Sequence, residues 1–113
     1  MLESQAQTKL IKQLKEYGFF YKASDRFRAG IPDILGCVSG RFIAIEMKIN
    51  YNSPTPLQIY TLAEIAKNGG FACTVTYTNR DKKWWVMGRS FASAKLIALH
   101  IIEKAHKGDD IWE

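Results

Sequence analysis

The sequence predicts one mixed α/β domain over residues 1–113, a hairpin-built sheet flanked by helices in the order α-β-β-β-α-β-β-α. Three observations carry that expectation. Apolar residues recur at helical spacing at the start, middle and end of the chain, and runs rich in β-branched and aromatic residues with period two lie between them. Gly, Pro and Asn punctuate the joins. A chain of 113 residues is long enough for one core and has no room for a second.

The first helix is "LESQAQTKLIKQLKEYG", residues 2–18, ending at Gly18. Its apolar stripe is Leu10, Ile11, Leu14 and Tyr17, with Lys9, Lys12 and Lys15 mostly off it. Steps of i−3 and i−4 back along the stripe meet Gln7 and then Glu3. Two readings follow: a frayed first turn with Glu3 favourable at the helix dipole, or a helix whose first turn looks into a polar site. Residues 19–25 read as a strand and residues 26–30, "RFRAG", as a basic loop. "DILGCV" and "RFIAIEMKI" read as two strands split by a tight turn at Ser39-Gly40. "SPTPLQIYTLAEIAKNGG" reads as a helix, with Thr55 at the N-cap, Pro56 at N1 and Gly69 as its stop. "FACTVTYT" and "KKWWVM" are two further strands joined through "NRDK". A last helix is expected from the N-cap Ser90 to just before Gly108. Its apolar residues, among them Phe91, Leu96, Ile97, Leu99, Ile101 and Ile102, cover more than one stripe. Such a helix is either well buried or shared with a second subunit.

Composition narrows the function classes. Sixteen Lys and Arg against 11 Asp and Glu give a formal net charge of +5, which favours an anionic partner, nucleic acid first. The two cysteines, Cys37 and Cys73, sit in apolar strand-like runs and read as buried free thiols in a reducing cytoplasm. His100 and His106 are far in sequence from either, which argues against a zinc site. The N-terminal residues do not form a signal peptide, and no stretch approaches a membrane span, so no membrane partner is expected.

The chemistry concentrates in the predicted hairpin. Period two puts Phe42, Ala44, Glu46 and Lys48 on one face of the second strand. With Ser39-Gly40 as the turn, the numbers of directly opposed residues sum to 79. Asp33 therefore stands opposite Glu46, unless a bulge shifts the register. Opposed cross-strand side chains have Cβ atoms about 4.5–5.5 Å apart, and like charges there are destabilising. Two carboxylates so placed need a proton, a base or a cation between them. Lys48, two residues along on the same face, supplies part of that, and a divalent cation of the magnesium kind would supply more. A solvated Asp/Glu/Lys cluster at a hairpin end is the plainer alternative.

Beyond this pair, Lys9, Lys12, Arg26, Arg28, Lys82 and Lys83 are the candidate phosphate contacts. Arg26 and Arg28 stand out because their loop leads straight into Asp33. "NRDKKWW" sets a basic turn beside Trp84 and Trp85, one of which faces the core by alternation. The other is available to stack on a base or to bury in a dimer contact. The broad last helix and Trp112 favour a homodimer, whose two-fold axis would present two sites.

"GIPDILGCVSGRFIAIEMK" resembles the active-site signature of the PD-(D/E)XK nucleases, as Pro32-Asp33 and Glu46-Met47-Lys48. The surrounding pattern is similar to the small VRR-NUC branch: Glu3 in a first helix, Gly30 to Asp33, Gly40-Arg41 before the E-x-K strand, and Gln58 opening the next helix. It covers residues 2 to about 77. The resemblance implies a restriction-endonuclease-like fold and a metal-dependent DNA endonuclease with no organic cofactor. It implies that Asp33, Glu46 and the main-chain carbonyl of Met47 bind magnesium, with manganese able to substitute, and that Glu3 holds the metal through water. Lys48 would orient the attacking water and offset charge on the phosphate. Gln58 would steady the lysine or the scissile phosphate, although Thr55-x-x-Gln58 is equally a capping box. Stand-alone relatives of this kind are associated with resolving four-way junctions, often in phages, which implies action on branched DNA in a bacterial host cytoplasm. A nuclease on duplex or flap DNA and a non-catalytic DNA-binding module on the same fold are the alternatives.

Overall fold

The computed structural model describes residues 1–23 and 28–108, so Arg26 and Trp112 lie outside the described residues. In chain order the elements are α1 (Glu3–Leu14), β1 (Phe19–Lys22), β2 (Ile34–Val38), β3 (Arg41–Ile49), α2 (Pro56–Lys67), β4 (Phe71–Thr78), β5 (Lys83–Val86), β6 (Arg89–Phe91) and α3 (Ala94–His106). The strands form one sheet in the order β1-β2-β3-β4-β5-β6. Neighbours are antiparallel except β3 and β4, which run parallel. That pair needs a crossover, and α2 provides it.

Each face of the sheet has its own partner. Ile43, Ile45 and Met47 of β3 and Phe71, Cys73 and Val75 of β4 join Leu10 and Leu14 of α1 and Ile97 and Ile101 of α3 in the main core. The opposite face is thinner: Ala44 and Ala72 meet Leu62 of α2, with Leu35 and Ile65 packed around them. Ala44 and Ala72 are paired in register, and their small side chains let α2 lie close to the sheet. As the strand between two covered faces, β3 is buried without interruption, and Ile43 through Met47 are each at most 1 % exposed.

The β2–β3 hairpin has the expected register, from Ile34 with Ile45 to Val38 with Arg41. Its turn residues, Ser39 (φ 50°) and Gly40 (φ 83°), are both left-handed, the geometry that suits a two-residue hairpin. The same geometry produces a difference from expectation at the end of the sheet. Met87 (φ 49°) and Gly88 (φ 76°) turn the chain back so that Val86 pairs with Arg89, adding β6 where a helix start was expected. The helix begins at Ala94, and Ser93, not Ser90, caps it: the Leu96 N–H donates to the Ser93 hydroxyl at 3.2 Å. A Met at the first turn position is a weak hairpin signal, which is why the sequence hid this strand.

Two further boundaries move. The first helix ends at Leu14, and Tyr17 is left 38 % exposed instead of extending the buried stripe. Gly18 serves packing instead of a helix stop: a Cβ there would lie 2.6 Å from the Cys37 carbonyl oxygen. Strand β1 ends at Lys22. In α3 the buried residues Ile97, Ala98, Ile101, Ile102 and Ala105 pack within this chain, and Leu96 and Leu99 remain exposed. Cys37 is exposed and Cys73 buried, so only one of the two thiols fits the sequence expectation. No helix among the described residues is long and apolar enough to cross a membrane.

Candidate active site

The site lies where β3 outruns β2. The first β2 residue, Ile34, pairs with Ile45, and β3 continues to Ile49 with β4 as its partner on the other side. Pro32 has no N–H to extend the ladder, and Asp33 takes over with its side chain: its Oδ2 accepts the Met47 N–H at 2.8 Å. The Asp33 carbonyl accepts the Ala23 N–H at 2.8 Å, which ties its backbone to the end of β1. N–H and C=O of one strand residue point to the same edge, so the Met47 carbonyl faces the edge where Asp33 stands.

Glu46 follows on the α2 face. It is 1 % exposed, and among the described residues neither carboxylate oxygen has a hydrogen-bond partner. Lys48 Nζ stands 3.4 Å from its Oε2 and is itself 12 % exposed. Burial pushes the Glu46 carboxyl up to about 8, and the charge and closeness of Asp33 push the same way against the pull of Lys48. Glu3, in the first turn of α1, is half-buried within electrostatic reach. Its carboxyl is raised by burial and then by Asp33, with Lys48 opposing. A buried carboxylate with a single ammonium at 3.4 Å to offset it is still costly in water-free surroundings, and a divalent cation would lower that cost. The donor set fits such an ion: two carboxylates and a main-chain carbonyl, all hard oxygens. No three His, Cys, Asp or Glu side chains among the described residues converge closely enough to hold a metal alone. Water would complete the shell, as magnesium prefers.

The remaining expected residues are spread more widely. Gln58 is engaged in the capping box: its Oε1 accepts the Thr55 N–H at 2.8 Å, and its own N–H donates to the Thr55 hydroxyl at 3.2 Å. Lys9 and Lys12 are exposed along α1, Lys82 is exposed in the β4–β5 turn, and Lys83 is half-buried. Arg28 is exposed and, with Ile31 and Pro32, lines a groove of about 440 Å³ beside α2. Arg41, part of the Gly40-Arg41 motif, acts as a clamp at the far end of β3. Its Nε donates to the Gly69 carbonyl at 3.2 Å and its Nη1 to the Ala105 carbonyl at 2.8 Å.

Two neighbours were not foreseen. Lys22 ends β1, and its Nζ donates to the Thr8 hydroxyl at 3.3 Å beside the first turn of α1. Thr74 is the in-register partner of Glu46 on β4, and its Oγ1 is buried without a partner among the described residues. Thr74 could be found only once the parallel pairing of β3 with β4 was known, and no sequence signal sets that register.

Comparison with solved structures gives the class first: this chain shares its fold with VRR_NUC domains and with an archaeal Holliday junction resolvase. Within it, one similar structure is a VRR_NUC domain, with a TM-score of 0.60 at 21% identity, covering 89% of this chain and 94% of that one. A VRR_NUC domain protein gives 0.59 at 20% identity over 100% of this chain and 93% of its own. Hjc from Archaeoglobus fulgidus, a Holliday junction resolvase from an archaeal hyperthermophile, gives 0.54 at 20% identity over 74% of this chain and 72% of its own. Sequence comparison finds no matching family model and no significant match among curated proteins.

Proposed function

We propose that this protein is a magnesium-dependent endonuclease that hydrolyses phosphodiester bonds in DNA, with branched DNA such as a four-way junction as its first candidate substrate. The observation that carries the reading is Glu46: buried, with neither oxygen in a hydrogen bond among the described residues, close to Asp33 and ion-paired with Lys48 at the open edge of β3. Asp33, Glu46 and the Met47 carbonyl would hold the ion. A bound magnesium ion supplies polarisation of the phosphodiester and activation of water. Asp33 keeps its place because the Met47 N–H holds its carboxylate. Lys48 brings a fixed positive charge to where negative charge grows on the phosphate. Glu3 completes the acidic wall, and Gln58 orders the start of α2. Lys9, Lys12, Arg28, Lys82 and Lys83, with Arg26, would meet the DNA backbone. The branched substrate is suggested by the similarity to Hjc. A homodimer belongs to the same reading, with the exposed Leu96 and Leu99 of α3 as support.

The test is cleavage with magnesium of junction, flap, duplex and single-stranded DNA. Wild type should cut, with the junction preferred, and Lys48→Ala should lose about 100-fold or more in rate. Equal behaviour of the two on every substrate would leave at most a binding module. Asp33→Asn should abolish saturable magnesium binding, and unchanged binding would remove Asp33 from the ligand set.

A further inference from the structure

Beside the acidic corner, on the same face of the sheet, is a second hollow that the proposed reaction does not use. It has a volume of about 300 Å³ and is lined by Asn52, Ser53, Thr74, Thr76 and Trp85 together with Ile59 of α2. The strand register fixes its relation to the site. Glu46 pairs with Thr74, and Lys48 pairs with Thr76, which pairs in turn with Trp85. Paired residues share a face, so Lys48, Thr76 and Trp85 form one row across three strands. Two strand spacings separate the lysine from the tryptophan, about 10 Å.

The lining is selective in its chemistry. The side chains named carry no charge, so the hollow offers a phosphate no ion pair. It offers an aromatic face, small hydroxyls and an amide. The indole is held in place, because Trp85 Nε1 donates to the Thr78 hydroxyl at 3.1 Å. Thr74 lies at the floor, its Oγ1 buried and unpartnered among the described residues. A volume of about 300 Å³ is at the small end of ligand sites, suited to a single ring system and not to a longer ligand.

We infer that this hollow is a subsite for one unpaired nucleobase, stacked on Trp85 and met by the Thr76 hydroxyl, beside the phosphate to be cut. The inference rests on the proposed nuclease reading for its substrate, and its own content is specificity. A base reaches an aromatic platform only when it has left its stack. The protein therefore selects DNA in which a nucleotide next to the cut is unpaired, as at a branch point or a bulge, and uses the row from Lys48 to Trp85 to tell such DNA from continuous duplex.

The probe is a short single-stranded oligonucleotide with one 2-aminopurine, bound in EDTA so that nothing is cut, against the same oligonucleotide with an abasic site in its place. Wild type should bind the first about ten-fold more tightly and quench its fluorescence. Trp85→Leu should erase the difference, and Trp85→Phe, which keeps an aromatic ring, should retain most of it. Equal affinity of wild type for the two oligonucleotides overturns the subsite, and this comparison needs no variant. A difference that survives in a folded Trp85→Leu protein overturns it as well. Magnesium-dependent cleavage is measured separately: cutting without base-dependent binding sinks the subsite alone, and base-dependent binding without cutting upholds it while the nuclease reading falls.

Discussion

Glu46 concentrates the cost of the site in one side chain. Its carboxyl holds a proton in the folded protein up to about pH 8, whereas the ordinary value is 4.5. Between those values the folded state binds the extra proton, so stability falls as pH rises through that window. Metal-free protein should therefore show a melting temperature that drops from about pH 5 to pH 8, and saturating magnesium should flatten the curve. Glu46→Gln should flatten it without metal, with cleavage lost. Thermal melts across pH, with EDTA and with magnesium, check all three. At this scale the sequence was most legible. Alternation and a two-residue turn were enough to set Asp33 opposite Glu46, because a hairpin register depends only on local chain geometry. Thr74 was hidden because it reaches Glu46 through a parallel pairing 28 residues away, which alternation does not encode.

Among the elements, β3 is fastened at both ends and used at one. Arg41 binds two main-chain carbonyls, and its guanidinium also lies 5.7 Å from the Phe71 ring centre. Arg41→Ala should cost about 2 kcal/mol in urea unfolding, since bonds from a charged donor are the stronger kind. Cleavage per folded molecule should be unchanged, because five residue steps of extended strand separate it from Glu46, about 17 Å. The start of α2 gives a second measure: Gln58→Ala should lower stability by about 1 kcal/mol through loss of the cap. Boundaries were less legible than elements. The helix α1 stops short because tertiary contact at Gly18 overrides its local signal, and β6 was missed because its turn opens on Met87, a residue seldom used there.

For the whole molecule, the formal charge of +5 is a statement about association. DNA binding should weaken steeply with salt, with a log–log slope of about −0.9 for each phosphate neutralised. Replacing Lys9, Lys12 or Lys82 by Ala should each reduce that slope by about one unit, and leave the position of cutting unchanged. Filter binding or anisotropy over a salt series measures it. Fold class was readable because element types alternate clearly and the crossover helix carries its own start and stop residues. The layering was not, because nothing local tells which face of the sheet receives α1 and α3.

The bond from the Met47 N–H to the Asp33 carboxylate gives the protein an internal indicator. An amide proton facing a carboxylate shifts its magnetic resonance when that carboxylate changes partner. Loading of the site should thus be visible on the backbone of a core strand, without a label or a substrate. In a magnesium titration the Met47 amide resonance should move further than its neighbours on β3, and Asp33→Asn should leave it still.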